Sequence, residues 1–432
     1  MWFENYGRNL KFRPKVALSP SKVEDLQQAM RDARSLRVMG ARHSWSGGIV
    51  TEDTLVSLDQ MNRVLNVDLE GMRVTAQAGI RLKDLIVELE RHGLALANLG
   101  SIAEQSLAGA ISTGTHGTGL GFKCLADQVQ SISLVDGQGE IRVIDRDQPD
   151  FAAVAVSFGA FGVIYEMTLS VVPSFQIHFV TELMSFDELA ANLDEHVRGH
   201  DHFKFWWLVP QDRVIVFRQR RTDEPRNDSN IKRWFKDEFL GKVAYRSLLG
   251  LQKVERKRMS QLTNRIIGSS YGKRYERTCK SHVAYLTPEP PAHAESEWAF
   301  DYSDAVDLLR EYRQLLASNG HAYSFIQELR FSAADEFWAS PSYGRDSIWL
   351  SHYNIDKPSA WDDQMRGFLA FARGKAGRPH WGKHASFDAD YLRASYPKLE
   401  AFAKLRSSYD PEDRLANSWL RQVLGLPGGA SL

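Results

Sequence analysis

The first third of the chain alternates short apolar runs, each long enough for one β-strand, with runs in which apolar residues recur at helical spacing. The apolar runs predict strands at 37–44, 54–60 and 73–79. The helical spacing predicts helices at 21–35 and 82–91. This mixture of strands and helices predicts an α+β fold for this part of the chain.

The helix predicted at 21–35 has a clear start signal. Ser21 is followed three residues later by Glu24, the spacing of a capping box in which each side chain bonds the backbone N–H of the other residue. Apolar residues from Leu26 onward then repeat at helical spacing, which predicts a face that packs on a sheet. Farther along, a β-hairpin is predicted with its turn at Asp136–Gly139.

After about Pro173 the pattern changes to longer strands and helices. Strands are predicted at 204–210 and 212–221, and a helix is predicted at 303–316. A second domain is therefore predicted to begin near Pro173.

Residues 213–280 form a basic segment in a chain without net charge. The segment holds 19 Lys or Arg and 7 Asp or Glu, whereas the whole chain holds 54 of each kind. One interpretation is a solvated helical face that is balanced by acidic surface elsewhere. The alternatives are an amphipathic surface helix, or docking to anionic lipid, nucleic acid or an acidic partner. Because the whole molecule is neutral, we expect no nucleic-acid partner and at most a weak contact of this segment with an anionic surface.

The composition is that of an ordinary globular protein. Of the 432 residues, 43% are hydrophobic and 25% are charged, which excludes fibrous and disordered architectures and predicts two or three packed units. The two cysteines, Cys124 and Cys279, are too few for a disulfide framework and lack the spacing of a structural zinc site, so no metal is predicted. No apolar stretch has the length of a membrane span or the form of a secretory signal, which predicts a soluble cytoplasmic protein.

The segment Gly100–Gly121 is dense in glycine and other small residues. Such a segment lets backbone N–H groups approach an anion closely, and the hydroxyl groups of Ser106, Ser112, Thr113 and Thr115 add donors that suit a diphosphate. The alternative is a tightly turned loop that packs on a sheet. Neither the GxGxxG dinucleotide fingerprint nor the GxxxxGK[ST] phosphate loop occurs, so Rossmann and P-loop folds have no support.

The strand predicted at 37–44 runs into a turn that carries a histidine, His43. Alone, His43 is weak evidence, because a histidine at a strand end more often satisfies a local hydrogen bond. Together with Gly100–Gly121 and the segment SFGAFGVIYEMTL at 157–169 it is more informative. In this order and spacing, the three segments resemble the flavin oxidases of the vanillyl-alcohol oxidase superfamily, in its aldonolactone oxidase and alditol oxidase branch.

The resemblance implies FAD as the cofactor, attached covalently to His43 through its 8α-methyl group, with the loop Gly100–Gly121 around the diphosphate. Arg42 departs from the family pattern, since many relatives have glycine there, and this alters the surroundings of the linkage. The implied cofactor-binding residues are Gly40, Ala41, Arg42, His43, Ser44, Gly100, Ser101, Ser106, Gly109, Ala110, Ser112, Thr113, Thr115, His116, Gly117, Gly162, Val163 and Asn417.

Three motifs of the second half extend the resemblance. Residues 328–330 resemble the family's ExR, residues 340–347 its SPxYGRD and residues 378–383 its RPHWGK. In a strand, Glu328 and Arg330 project from the same face, so a carboxylate and a guanidinium are presented together. The alternative for this pair is an interdomain salt bridge.

Lys383 ends the third motif, and a structural cation beside a tryptophan is the alternative to a catalytic role. His352 resembles a histidine near the substrate in the alditol oxidase branch, although its phase on the strand is not fixed by the motif. The implied catalytic residues are Glu328, Arg330, His352 and Lys383.

The resemblance further implies an architecture and an activity. The fold is a two-subdomain FAD-binding domain of the vanillyl-alcohol oxidase (PCMH) type over 1–172, an α+β substrate or cap domain over 173–375, and a C-terminal segment over 376–432 that returns to the first domain. The activity is oxidation of a C–OH group in a sugar lactone, sugar or polyol by hydride transfer to flavin N5, with O2 as acceptor and H2O2 as product. Arg330 and Lys383 would stabilise developing negative charge, and Glu328 would accept substrate hydroxyls and orient Arg330; the catalytic base stays open.

Two alternatives differ in where the electrons go. Dehydrogenase members of this branch carry alanine where this chain has Gly100, and the smaller residue leaves a path for oxygen, which favours an oxidase. The alternative in the same fold is an aldonolactone dehydrogenase that passes electrons to cytochrome c or a quinone. A flavoprotein scaffold without relevant redox activity is a third hypothesis, which the joint presence of Glu328, Arg330 and Lys383 disfavours.

Overall fold

The structure is a computed structural model, and it describes residues 1–208, 212–228, 256–270, 272–287, 292–318, 326–354 and 363–428. The strands are β1 (Phe3–Glu4), β2 (Lys11–Phe12), β3 (Val16–Leu18), β4 (Leu36–Met39), β5 (Thr54–Ser57), β6 (Val64–Asp68), β7 (Arg73–Gln77), β8 (Leu94–Ala95), β9 (Val129–Val135), β10 (Ile141–Asp145), β11 (Val163–Ser170), β12 (Val172–Pro173), β13 (Gln176–Ser185), β14 (His202–Leu208), β15 (Arg213–Thr222), β16 (Tyr275–Lys280), β17 (Ala294–Asp301), β18 (Gln327–Ser332), β19 (Ser347–Asn354) and β20 (Arg378–Pro379).

The helices are α1 (Val23–Asp32), α2 (Leu82–Arg91), α3 (Leu107–Ser112), α4 (Phe151–Val154), α5 (Phe186–Ala191), α6 (Leu193–Arg198), α7 (Arg256–Ser270), α8 (Ser281–Tyr285), α9 (Ala305–Ser318), α10 (Asp363–Gly374), α11 (Ala389–Ser395), α12 (Leu399–Tyr409) and α13 (Ser418–Leu424). Among the described residues, no helix is both long enough and apolar enough to cross a membrane.

The first half of the chain forms two main sheets. Strands β3, β5 and β4 form a parallel sheet in that order, and β10, β9, β11, β7 and β6 form an antiparallel one. The strands predicted at 54–60 and 73–79, the helix at 82–91 and the hairpin at Asp136–Gly139 are confirmed. The strand predicted at 37–44 ends at Met39, so its second half is a turn. The predicted capping box is wrong, because Lys22 is the N-cap of α1 and its side chain makes no capping bond. Burial of Leu26, Ala29 and Met30 holds this helix instead.

The second half forms one antiparallel sheet of eight strands, in the order β16, β13, β15, β14, β18, β19, β17, β20. Its outer face packs on α5, α6, α9 and α10 through alternate residues of each strand, such as Phe203, Phe205 and Trp207 of β14. The intervening residues therefore face the other way, toward the first half of the chain. Strand neighbours come from distant parts of the sequence, so this inner face gathers side chains from β14, β17, β18 and β19.

The C-terminal segment shares a core with the first half of the chain. The ring of Phe158 lies 4.9 Å from that of Trp381 and 5.4 Å from that of Trp419, between ring centroids. Phe161 and Phe402 meet edge to face at 4.9 Å. The predicted domain limits lie close to changes of sheet: β12 still pairs with β8, and β20 is still the edge of the large sheet.

Candidate active site

A cleft of about 950 Å³, including its open mouth, lies along the turn after β4 and the helix α3. Ten of the predicted cofactor-binding residues line it: Gly40, Ala41, Arg42, His43, Ser44, Ser106, Gly109, Ser112, Thr113 and Gly162. The structure places eight others outside the lining: Gly100, Ser101, Ala110, Thr115, His116, Gly117, Val163 and Asn417. Residues that line the cleft and that the sequence did not indicate include Gly79, Gln105, Phe158 and Trp419.

Asn417 supports the cleft from behind. Its side-chain amide donates to the carbonyl oxygens of Gly47 and Val50, both at 2.8 Å, and its carbonyl accepts from the N–H of Leu420. Asn417 thus caps α13 and ties that helix to the segment that follows the His43 turn. Trp419, two residues later, lines the cleft itself.

The turn that carries His43 is held from the N-terminal hairpin. The backbone N–H of Tyr6 donates to the carbonyl of Arg42 at 2.8 Å, and the Asn5 amide donates to that of Ser44 at 2.8 Å. The Tyr6 ring stacks on the His43 ring with centroids 5.0 Å apart. Arg42 has a φ of 61°, in the left-handed region, where glycine is the residue with the least strain.

The cleft fits a phosphate-containing cofactor such as FAD. The Ser106 hydroxyl is buried and has no hydrogen-bond partner among the described residues, and an unsatisfied buried donor at a cleft indicates a ligand acceptor. A side chain at Gly40 or Gly109 would clash with this hydroxyl, since a Cβ would lie 2.0 Å and 2.8 Å from it, respectively. These residues can therefore bind the diphosphate of FAD through a hydroxyl and nearby backbone N–H groups.

A second group of polar side chains lies on the inner face of the large sheet and surrounds Glu328. One carboxylate oxygen, Oε1, accepts from Lys204 Nζ at 2.8 Å and from Trp206 Nε1 at 3.1 Å. The other, Oε2, accepts from Arg330 and lies 3.5 Å from the Tyr353 hydroxyl. Burial by itself would raise the pKa of Glu328, but the charges of Arg330 and Lys204 outweigh it and hold that pKa far below its usual range.

Arg330 retains hydrogen-bonding capacity in this arrangement. Its Nη2 donates to Glu328, whereas its Nε is buried without a hydrogen-bond partner among the described residues. Burial would lower the pKa of Arg330, but the Glu328 and Glu297 carboxylates raise it, so the guanidinium stays charged. A fixed, charged donor with an unfilled N–H suits a substrate oxygen.

Lys383 connects this group to the His43 turn. The Lys383 ammonium pairs with Glu295 and lies 4.6 Å from the centre of the Trp45 ring. A carboxylate oxygen of Glu295 also lies 3.4 Å from His293 Nε2. The backbone N–H of Trp45 donates to the carbonyl of Gly382 at 2.8 Å. Lys383 and the cleft are therefore neighbours, joined through Trp45, two residues after His43, and Gly382, the residue before Lys383.

His116, Glu297 and His380 form a buried group whose ligand atoms lie within 4.8 Å of one another, as in a metal site. Nδ1 of His116 donates to the Gly117 carbonyl at 2.9 Å, so Nε2 faces Glu297 Oε1 at 3.5 Å. The N–H of Gly382 donates to His380 Nδ1 at 3.0 Å, which places the His380 proton on Nε2. Burial lowers the pKa of His380 to about 3, so it is neutral. In this tautomer neither ring nitrogen of His380 has a free lone pair to offer a metal ion.

The structure does not bring His352 into this group. His352 lies on the outer face of the sheet, with its ring stacked on Phe368 of α10 at 5.1 Å. Successive residues of a strand point to opposite faces, so its neighbours Ser351 and Tyr353 face the site instead. Ser351 donates to Glu297 at 3.0 Å and Tyr353 lies next to Glu328. The structure therefore does not support the predicted role of His352, because the residues that face the site are its two neighbours on the strand.

The sequence reasoning missed several residues on the inner face, namely Lys204, Trp206, Glu295, Glu297 and Tyr353. A signal existed for Lys204, since it is a charged side chain among the aromatic residues of 203–207 in an otherwise apolar strand. The prediction for the basic segment 213–280 cannot be compared with the structure at its centre. Residues 229–255 and the side chains of 256–261 lie outside the described residues.

Comparison with known proteins supports this architecture. The sequence profile of the family described as D-arabinono-1,4-lactone oxidase matches residues 167–423, and that of an FAD binding domain matches residues 14–145. In three dimensions the chain is similar to a His121Ala mutant of cholesterol oxidase from Brevibacterium sterolicum, with a TM-score of 0.81 over 98% of this chain and 96% of that one, at 15% identity. At that identity the likeness shows the fold alone, and it confirms the predicted fold class.

Relatives match over nearly the whole chain. An L-gulonolactone oxidase of Scyliorhinus torazame is 28% identical over 98% of both chains. An L-gulono-1,4-lactone dehydrogenase of Mycobacterium tuberculosis is 29% identical over 95% of this chain and 96% of the relative. An alditol oxidase of a Streptomyces species is 29% identical over 97% and 98%.

The family match covers more than half of the chain and includes every residue of the Glu328 and Lys383 group, while the FAD-binding match covers the His43 turn and the small-residue loop. FAD as the cofactor is thereby confirmed. The chain belongs to the D-arabinono-1,4-lactone oxidase family and is an FAD-dependent oxidoreductase that acts on CH–OH groups.

Proposed function

We propose that the protein oxidises a C–OH group of a sugar lactone or polyol, with FAD held in the cleft and the substrate held by Arg330 and Lys383. The observation that carries this proposal is the position of Lys383, whose ammonium lies 4.6 Å from the centre of the Trp45 ring next to the His43 turn, with Arg330 on the inner face of the large sheet and mostly buried. Oxidation of an alcohol leaves negative charge on oxygen in the transition state, and preorganised cations stabilise such charge.

Bound FAD supplies the hydride acceptor. The protein supplies orientation: Glu328 holds Arg330 by an ion pair, and Glu295 holds Lys383. Each cation is therefore fixed on the sheet side and is free to direct its remaining N–H groups toward a substrate oxygen. Glu328 is a poor proton acceptor because its pKa is held so low, so we assign it the orienting role.

A substrate with several hydroxyl groups suits this surface. Arg330 keeps a buried Nε–H without a hydrogen-bond partner among the described residues, and an apolar substrate would leave that donor unsatisfied. The names of the relatives, two lactone-oxidising enzymes and an alditol oxidase, fit the same chemical class.

A substrate screen tests this proposal. Purified holoenzyme is mixed anaerobically with aldonolactones, alditols and aldoses, and loss of the oxidised flavin absorbance is followed. We expect rapid bleaching with at least one lactone or alditol and none with simple alcohols, which lack neighbouring hydroxyls. Bleaching by simple alcohols at equal rates, or by no member of the three classes, would contradict the proposed substrate class.

We further propose O2 as the electron acceptor, because Gly100 leaves space beside the loop at 115–116. A Cβ at Gly100 would lie 3.0 Å from Thr115 Cγ2 and 3.5 Å from the carbonyl oxygen of His116. The space beside Gly100 is therefore small, and a methyl group at this position would fill it.

Gly100→Ala is expected to slow reoxidation by O2 about ten-fold or more while substrate reduction persists, because the added methyl group narrows the approach of oxygen. Stopped-flow measurement of the two half-reactions separates them. The double variant Gly100→Ala with Thr115→Ser removes the crowding methyl group and keeps the hydroxyl that accepts from Gln105. If Gly100→Ala is reoxidised as fast as wild type, the alternative acceptors, cytochrome c or a quinone, are favoured. If reoxidation is slow in Gly100→Ala and fast again in the double variant, the added methyl group acts by crowding Thr115 in the loop.

The covalent bond between His43 and FAD remains part of this proposal. It is supported by the place of His43 in the cleft and by the hydrogen bonds that fix its turn. We also propose a cytoplasmic location, since Cys124 and Cys279 are buried thiols, and a weak contact of segment 213–280 with an anionic surface.

A further inference from the structure

Lys204 is a buried charge for which the reaction as described has no use. Its side chain is 6% exposed, it lies on β14, and its Nζ is 2.8 Å from Glu328 Oε1. Around it are the rings of Trp206 and Phe217, with centroids 5.7 Å and 5.4 Å away. Burying an ammonium group is costly unless a counter-ion compensates, and Glu328 is the carboxylate that does so.

The register of the sheet explains how Lys204 reaches Glu328. Trp206 of β14 lies directly opposite Glu328 of β18, so Lys204 and Trp206, two residues apart, share the face that presents Glu328 and Arg330. Two donors from β14 then occupy one carboxylate oxygen, and Arg330 and Tyr353 occupy the other. A carboxylate has about four lone-pair sites, so Glu328 is fixed at both oxygens.

We propose that Lys204 is a positioning residue that keeps Glu328 ionised and in one orientation, so that Glu328 in turn aims Arg330 at the substrate. The proposal rests on the proposed function, in which Arg330 binds the reacting oxygen. Lys204 itself does not touch the substrate.

The charges that face Glu328 give the direction of the expected effect. The cations that face Glu328 are Lys204 from β14 and Arg330 from the same strand, β18. Tyr353 of β19 faces Glu328 as a neutral hydroxyl. Glu295 and Glu297 of β17 are further carboxylates on the same inner face of the sheet. Without Lys204, burial and these carboxylates are opposed by Arg330 alone, so the pKa of Glu328 rises. As the pH falls, Glu328 then takes up a proton and releases Arg330.

The test compares Lys204→Met with Lys204→Arg and wild type. The rate constant of FAD reduction is measured from pH 5.5 to pH 8.5. The ratio of the rate constant in the Met variant to that in wild type should fall about ten-fold from the top to the bottom of this range, because loss of the Lys204 charge raises the pKa of Glu328. Lys204→Arg should restore the wild-type profile. The loss should appear in kcat more than in KM, because Arg330 acts on the transition state.

Lys375→Met is the matched control, because it removes an exposed lysine that pairs with Glu311 on the far side of the large sheet. It should keep the wild-type pH profile. A Lys204→Met enzyme that is slower by the same factor at every pH, with full FAD content, would overturn the proposal and leave Lys204 a merely structural residue. If that variant does not fold, Trp206→Phe removes the other donor to the same oxygen and should show a smaller shift in the same direction; an unchanged profile would overturn the proposal equally.

A measurement without turnover separates this proposal from the proposed function. Infrared difference spectra between pH 5.5 and pH 8.5 should show a protonated carboxyl band in Lys204→Met in addition to the signal of wild type, where burial raises the pKa of Asp335 to about 7; this additional band should be absent from the double variant with Glu328→Gln. If wild type oxidises no lactone or polyol, the proposed function fails while this band still decides the charge state of Glu328. If substrates are oxidised and the band is missing, the inference about Lys204 fails alone.

Discussion

Arg330→Ala is expected to lower the rate constant of FAD reduction by about two orders of magnitude or more, the scale of losing one preorganised charge-stabilising donor. FAD should remain bound, because the residues that line the cleft belong to the first half and the C-terminal segment of the chain. Anaerobic stopped-flow with the best substrate of the screen gives the rate, and the flavin-to-protein absorbance ratio gives the FAD content.

Two further variants make this result specific. Arg330→Lys keeps the charge but cannot pair with Glu328 and offer a second fixed N–H in the same way, so it should recover only part of the rate. Arg310→Ala removes an exposed arginine of α9 that pairs with Asp307 and should reduce FAD at the wild-type rate. A rate for Arg330→Ala within about three-fold of wild type would exclude Arg330 from transition-state stabilisation.

The alternation of side chains along a strand explains what the sequence could predict about this site. Glu328 and Arg330 lie two residues apart, so their common face follows from strand periodicity alone, and the structure places them in one ion pair. His352 shows the limit of the same argument. An error of one residue in strand phase moves a side chain to the other face of the sheet, where His352 packs on Phe368.

The partners of Glu328 could not be predicted, because they depend on which strands are neighbours. Lys204 precedes Glu328 by 124 positions along the chain, and no local pattern gives the order of strands in an antiparallel sheet. The cleft shows the same division. The turn at His43 and the small-residue loop are visible as local composition, whereas Trp419 and Phe158 reach the cleft only through packing of the C-terminal helices on the first core.

His43→Ala is expected to abolish covalent attachment of the flavin completely. In wild type, acid-precipitated protein should stay yellow and show flavin fluorescence on a denaturing gel, because His43 lines the cleft in a turn fixed by the N–H of Tyr6 and the amide of Asn5. In His43→Ala the flavin should appear in the acid supernatant. The variant should still bind FAD before denaturation, since the Ser106 hydroxyl and the glycine-lined wall are unchanged.

The matched control is His178→Ala, which removes a partly exposed histidine of β13 in the large sheet and should keep the flavin attached. Covalent flavin that persists in His43→Ala would mean that another side chain forms the bond. Wild-type flavin that acid extracts fully would mean that the cleft holds FAD by non-covalent contacts alone. In that case the Tyr6 ring, whose centroid lies 5.0 Å from that of His43, would only pack against the histidine. Retention of the cofactor would then depend on the Ser106 hydroxyl and the backbone donors of the loop. FAD should therefore dissociate when the protein is diluted.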